Sequence, residues 1–315
     1  VSVWGGEDGS YDTSTGVSSN PEYGKVFISI KSTTGQNLTT VQKSNLVTAF
    51  APFKVASITP VVVDPSITYL ILNVSFSYDS TATTSTKDEL ASLISTTISN
   101  YNSTDLQEFN SSFRHSKLLG LIDNTDTAIL NNTTTVTMSK FFTPVSETSS
   151  YNINFNNAFF NPHSGHNAAA GGVVASTGFY LDNSTETEYF FDDDGSGNLR
   201  IYSLSTGQVR TYLNSSAGTV DYVDGTISTT SLLISAVSNV DGASSTQIRI
   251  TVIPKSNDVI PVRNQILEID LVNTTTGGNV DAQATTGVGY TVTSSGTTQT
   301  TTVTTPSSTP TSSAY

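Results

Sequence analysis

Apolar and polar positions repeat at two periods along this chain, and the helical period disappears after Pro144. Val26, Ile28 and Ile30 recur at every second position, as in a strand. Thr39 with Gln42 three residues later has the form of a capping box, which satisfies two free amides at a helix start. Leu46, Val47 and Phe50 follow at helical spacing. Residues 59–63 read as a strand, and Asp64-Pro65-Ser66 as a turn. The next strand is the clearest in the chain, with Leu70, Leu72, Val74, Phe76 and Tyr78 on one face and Asn73, Ser75 and Ser77 between them. A second capping box, Thr86 with Glu89, opens a helix whose Leu90, Leu93, Ile94, Ile98 and Tyr101 form one apolar stripe. A shorter helix is expected around Phe113, Leu118, Leu121 and Ile122, and a strand runs from Thr135 to near Pro144. The order β-α-β-β-α-(α)-β is that of a split βαβ, ferredoxin-like domain over residues 23–145.

Beyond Pro144 strands are expected at 151–155, 178–181, 189–191, 199–203, 209–213, 219–223, 226–234, 247–253 and 266–271. Turn clusters such as Asp194-Gly195-Ser196-Gly197-Asn198 and Asp224-Gly225 separate several of them. Residues 146–272 therefore read as an antiparallel β-rich domain, and the fold class as α+β. Residues 1–22 are expected to be a linker or the end of an upstream domain, since Gly, Ser and Asp crowd positions 5–20. Residues 273–315 are almost entirely Thr, Ser, Gly and Val, an extended tail with too little apolar surface to order by itself. Its pieces 289–294 and 297–305 have strand propensity, and Pro306 and Pro310 should end any pairing. The tail is expected to leave its own β domain and lie along a neighbour in an assembly.

Composition narrows the function classes. Acidic residues number 26 and basic residues 13, a net charge of -13, which opposes binding to nucleic acid or an anionic membrane. There is no cysteine, which excludes disulfide staples and thiolate metal sites. No apolar run approaches the ~20 residues of a membrane-spanning helix. Charged residues make up 12 %, and Thr, Ser and Asn take their place, a surface suited to extended hydrogen-bonded contacts. The one methionine is Met138, so the sequence is expected to be part of a longer chain.

Several segments, in order, carry a resemblance. They are Val3-Trp4-Gly5-Gly6-Glu7, Pro21-Glu22-Tyr23-Gly24, Phe113-Arg114-His115-Ser116-Lys117-Leu118-Leu119 with Ile122-Asp123, and Phe142-Thr143-Pro144-Val145. Pro162-His163-Ser164-Gly165-His166, Asp193-Asp194-Gly195-Ser196-Gly197-Asn198-Leu199-Arg200-Ile201-Tyr202, Gly218-Thr219-Val220-Asp221-Tyr222 and Gly225-Thr226-Ile227 follow. The last is Ser256-Asn257-Asp258-Val259-Ile260-Pro261-Val262-Arg263-Asn264-Gln265-Ile266-Leu267-Glu268-Ile269-Asp270. Together they resemble the C-terminal half of the baseplate wedge subunit of T-even-type contractile-tail phages, with a cyanophage flavour. The resemblance implies a structural virion part, assembled in the bacterial host cytoplasm. It also implies pairing with a second copy of the chain, contact with a larger wedge subunit and other baseplate proteins, and a ring of linked wedges around the tail tube. No enzyme activity, cofactor, metal or small-molecule substrate is implied. The long Thr/Ser tail departs from the resemblance. The reading from another class is a secreted or surface carbohydrate-binding or adhesive β module with the Thr/Ser-rich tail as a stalk.

Candidate chemistry is sparse. His163 and His166 would supply half a zinc site, and His115 is the only other histidine. Asp192-Asp193-Asp194-Gly195 suggests a calcium loop, but with Gly195 as sixth residue the first is Phe190 and the twelfth Ile201, which cannot ligate as an EF-hand requires. An acidic hairpin turn is the plainer reading. Arg263 could clamp a neighbour's carboxylate or pair within its own domain. Arg114, His115 and Ser116 with Asp123 lack the nucleophile elbow or phosphate loop of a catalytic set, and read as capping or interface residues. Asn-X-Ser/Thr sequons at Asn37, Asn73, Asn102, Asn110, Asn131, Asn132, Asn183, Asn214 and Asn273 are those expected by chance in this composition.

Overall fold

Strand structure begins earlier than the alternation suggests. β1 (Ser2–Gly5) pairs antiparallel with β2 (Lys25–Ser29), placing Trp4 opposite Phe27, and the two rings stack at 5.7 Å. The expected linker thus starts after a strand, because Trp4 and Phe27 give those few residues an apolar anchor. The chain then forms α1 (Thr40–Phe50) and β3 (Thr59–Val63), which lies parallel to β2. The Thr39 capping box is present, with the Gln42 N–H donating to Thr39 Oγ1 at 3.3 Å and the Thr39 N–H to Gln42 Oε1 at 2.9 Å. The computed structural model describes residues 1–8, 21–32, 37–55, 57–161, 172–262 and 264–281.

A ferredoxin-like sheet would join β4 (Ser66–Tyr78) and β5 (Ile129–Phe142) to β2 and β3. Instead β1-β2-β3 form a separate sheet, and β4 and β5 lie side by side in another. The cause is their other partners. β5 pairs antiparallel with a strand of residues 248–252, and β4 pairs parallel with one of residues 265–269. Between β4 and β5 come α2 (Lys87–Asp105) and α3 (His115–Asp123).

The remaining strands are β6 (Asn152–Asn154), β7 (Val174–Ser176), β8 (Phe179–Leu181), β9 (Tyr189–Asp193), β10 (Asn198–Leu204) and β11 (Arg210–Asp221). After them come β12 (Thr226–Thr229), β13 (Ile234–Val237), β14 (Ile248–Val252), β15 (Gln265–Ile269) and β16 (Thr275–Val280). The two strands expected at 209–213 and 219–223 are one strand, β11, with register shifts in its pairing to β10. The residues expected as a strand at 226–234 divide between β12 and β13.

The chain folds into two compact units. Unit 1 comprises Val1–Leu72, Asn100–His115 and Thr135–Thr274, and unit 2 Asn73–Ser99, Ser116–Thr134 and the segment from Thr275. This division does not follow the expected succession of residues 23–145 and 146–272, because the β5–β14 and β4–β15 ladders join strands from both. In unit 1 the strand order is β15-β4-β5-β14-β7-β9-β10-β11-β12-β6, with β8 and β13 paired beside β9. Its core includes Leu70, Leu72, Phe113, Phe142, Phe155, Phe159, Phe179 and Phe191, each fully buried. Such a side chain contributes about 1.5–3 kcal/mol relative to exposure.

In unit 2 the second part of β4 keeps its strict alternation, with Val74, Phe76 and Tyr78 buried and Asn73 and Ser75 exposed. α2 buries Leu90, Ile94 and Ile98 there, but Leu93 is 44 % exposed, so the expected stripe is one residue narrower. α3 buries Leu118 and Ile122 and leaves Leu121 37 % exposed. The Thr86–Glu89 capping box is present, the Glu89 N–H donating to Thr86 Oγ1 and the Thr86 N–H to Glu89 Oε2 at 2.7 Å. β16 lies parallel to β4, from Thr275↔Asn73 to Val280↔Tyr78. The first residues of the Thr/Ser-rich tail are therefore ordered on their own chain, contrary to expectation, because β4 offers them a ladder. Residues 289–294 and 297–305 lie outside the described residues.

Candidate functional site

Among the described residues, a cluster of charged and aromatic groups lies on β9, β10 and β11 in unit 1. The antiparallel register sets Asp192 opposite Arg200, Phe190 opposite Tyr202, and Tyr202 opposite Tyr212. Residues two apart share a face, so these side chains and Arg210 project from one side of the sheet. Asp192 is buried and accepts from Arg200 Nε at 2.9 Å, Arg200 Nη2 at 3.1 Å, Arg210 Nη1 at 2.6 Å and Tyr212 Oη at 3.0 Å. Burial pushes its carboxyl up from the ordinary value, and Arg200, Tyr212 and Arg210 oppose that rise. The Arg200 guanidinium lies 4.3 Å over the Tyr212 ring, and that of Arg210 4.6 Å over the Tyr202 ring. Phe190 stacks on Tyr202 at 5.6 Å.

Asp193 points to the other face and is also buried. Its Oδ1 accepts the Val174 N–H at 2.8 Å, and its Oδ2 accepts Tyr222 Oη at 2.5 Å. Burial, then the hydrogen bond to Asp193, raises the Tyr222 pKa. Asp194 is the turn residue, accepting from the Ser196 N–H at 2.8 Å, the Asn198 N–H at 3.0 Å and Asn198 Nδ2 at 2.6 Å. The acidic run is thus three carboxylates with three separate sets of protein donors. Asp194, with the Gly195 N–H donating to Asp193 Oδ2 at 3.3 Å, makes the acidic turn expected from sequence, while Asp192 faces away from it.

A second buried charge was not singled out in the sequence. Lys140 on β5 is buried, with Nζ donating to Ser66 Oγ at 2.8 Å and to the Asn154 carbonyl at 2.7 Å, 5.9 Å from the Phe155 ring centroid. Burial lowers its pKa to about 7. Gln265 Nε2 donates to the Phe155 carbonyl at 3.1 Å and to Thr68 Oγ1, and the Asn264 carbonyl accepts the Ser66 N–H at 3.0 Å. The Asn264-Gln265 pair of the last sequence anchor therefore fixes buried backbone around β4. No sequence signal marks Lys140, whose neighbours Ser139 and Phe141 do not distinguish a buried from an exposed lysine.

A cleft of about 470 Å³ is lined by Lys31, Ser32, Ser103, Gln107, Glu108 and Asn110, among others. Burial lowers the pKa of Lys31, while the charges of Glu268 and Glu108 oppose that shift.

The other sequence candidates fall apart in space or serve the backbone. The His115 N–H at the start of α3 donates to Asp258 Oδ1 at 2.8 Å, and the Arg114 N–H to Tyr101 Oη at 3.1 Å. Asp123 accepts from Asn132 Nδ2 at 2.6 Å. Of the sequons, Asn102 is buried and accepts the Ile269 N–H at 2.8 Å, and Asn73 sits in β4 and accepts from Thr275 Oγ1 at 3.0 Å. His163, His166 and Arg263 lie outside the described residues. Among the described residues no group of three or more His, Asp or Glu side chains is placed to hold a metal ion.

Two family models match the chain. The one described as baseplate structural protein gp6, C-terminal domain I, covers residues 1–63, and that for C-terminal domain III covers residues 66–141. The first match ends where β3 ends, and the second runs from the start of β4 to within β5. The baseplate wedge protein gp6 of Enterobacteria phage T4 is 29% identical over 134 residues, which are 42% of this chain and 20% of that protein. The chain thus spans about a fifth of the length of this relative.

Proposed function

We propose that this chain, whose residues 1–63 and 66–141 match C-terminal domains of the phage baseplate protein gp6, is a baseplate wedge subunit that works by holding interfaces. The family is structural and not enzymatic, its place is the tail baseplate of the virion, and its members contact other baseplate proteins. Our reading adds that this chain associates with a second copy of itself and with a larger wedge subunit. Copies then link neighbouring wedges into a ring around the tail tube. Contacts of that kind commonly bury roughly 2,000–5,000 Å², enough to fix a symmetric assembly.

The observation that carries this reading is the succession of domain I and domain III matches over residues 1–141. The chemistry of the clusters supports it. Asp192 and Asp193 bind Arg and Tyr donors of their own sheet, as braces do. The aromatic faces of Tyr202 and Tyr212 are covered by guanidinium groups. A carbohydrate-binding or adhesive module would need open aromatic platforms, and these rings do not offer them.

The test has two arms. Sedimentation of the 315-residue chain should show a concentration-dependent dimer. Electron microscopy of purified virions should place multiple symmetric copies around the tail tube. A chain that stays monomeric at high concentration and is missing from virions overturns the proposal.

A further inference from the structure

β16 forms an edge of its sheet among the described residues. Among the described residues β16 pairs with β4 alone. The Asp281 N–H donates to the Tyr78 carbonyl at 2.9 Å. In a parallel ladder alternate residues bond to the same neighbour. Residues 275, 277, 279 and 281 therefore face β4, and the N–H and C=O groups of Thr276, Gly278 and Val280 face away from it. Folded chains protect such an edge with a charge, a proline, a bulge or a covering element. The sequence Thr-Thr-Gly-Gly-Asn-Val has no charge and no proline, and its register with β4 is unbroken over six residues.

We propose that β16 of one copy pairs antiparallel with β16 of a second, about a two-fold axis at Gly278. This rests on the self-association read above. Given that self-association, charge favours this strip as the place where two copies meet. At a net charge of -13 two copies repel over most of their surface, and this strip carries none. Geometry selects the register. Both strands must use their outward residues, so Gly278 lies opposite Gly278 and Thr276 opposite Val280. A shift by two residues in either direction leaves one of these groups outside the ladder. Three hydrogen-bonded pairs give about six bonds across the seam. The side chains fit this register. Thr276 and Val280 are β-branched, as suits a strand, and Thr276 Oγ1 lies 3.4 Å from Ser95 Oγ of α2. Glycine is required at 278 by the protomer itself, where an added Cβ would run into the Phe76 ring and Lys87. Gly277 has open space over it, with Val74 O at 4.0 Å its nearest neighbour. In the paired state it would face Asn279.

The test uses the full chain and three variants in sedimentation velocity. Thr276→Lys with Val280→Lys sets like charges opposite each other twice and should leave a monomer with an unchanged circular dichroism spectrum. Thr276→Glu with Val280→Lys sets opposite charges across the seam and should restore the dimer, which separates loss of pairing from loss of folding. Gly277→Cys with Asn279→Cys in this cysteine-free chain should give a disulfide-linked dimer under mild oxidation. A wild-type dimer that survives the double lysine change, or that forms no disulfide in the cysteine variant, places the seam elsewhere and overturns this inference while leaving self-association intact. A double-charge variant that fails to dimerise while folded also counts against it. A wild-type chain that is monomeric throughout overturns the self-association reading itself.

Discussion

Lys140 holds its ammonium among neutral acceptors, with Ser66 Oγ and the Asn154 carbonyl as its hydrogen-bond partners. Its pKa falls from 10.5 to about 7 on folding. Between those values the unfolded chain binds more protons than the folded one, so stability rises with pH across that window and its loss is complete below it. The slope approaches about 1.4 kcal/mol per pH unit. Urea midpoints at pH 7 and pH 9 should differ in the wild type, and Lys140→Met should flatten the difference. The β9–β11 cluster responds to substitution instead. Asp192→Asn leaves two guanidinium groups beside a neutral amide and should cost about 3–5 kcal/mol in urea unfolding. Tyr222→Phe removes one hydrogen bond to the buried Asp193 carboxylate and should cost about 1.5–3 kcal/mol. Equal losses for the two variants would contradict the assigned partners.

Elements made by local chemistry are the ones readable from the chain. Both capping boxes form where Thr39–Gln42 and Thr86–Glu89 announce them, because four residues contain all the partners. β4 is legible because its alternation survives at every core position from Leu70 to Tyr78. Pairing is another matter. The same pattern that marks β4 as a strand does not say that β5 and β15 are its neighbours, and the ferredoxin-like expectation failed there. The acidic run reads as a single turn because its sequence is local. The partners of Asp192 lie across the hairpin at Arg200 and Arg210, where only the register brings them. β16 reads as part of a tail without order because Thr and Gly bring little apolar surface. Its ladder is supplied by residues about 200 positions away, as in the Thr275 Oγ1 bond to Asn73 with a separation of 202. A chain ending at Thr274 should therefore expose the edge of β4. It should aggregate on heating at a lower temperature than one ending at Asp281, and light scattering during a thermal ramp would show this.

At the scale of the molecule, charge and pairing act against each other. A net charge of -13 opposes any contact between copies, so self-association should strengthen with salt. Raising ionic strength from about 0.01 M to 0.15 M shortens the Debye length from about 30 Å to 8 Å. The dissociation constant from sedimentation should fall over that range; a rise would mean that opposite charges hold the copies together. The lateral partners of β4 have a further consequence, in time rather than in energy. β15 and β16 complete its ladders and are encoded close to 200 residues downstream of it. At ribosomal speeds of about 5–20 residues per second, a nascent β4 waits roughly 10–40 s for them. Throughout that wait a thirteen-residue strand with pairs of Ile, Leu and Tyr has at least one side unclaimed. Yield in the host is then governed by how long translation leaves that strand open, and slower elongation through residues 79–264 should send more of the product to chaperones or inclusion bodies.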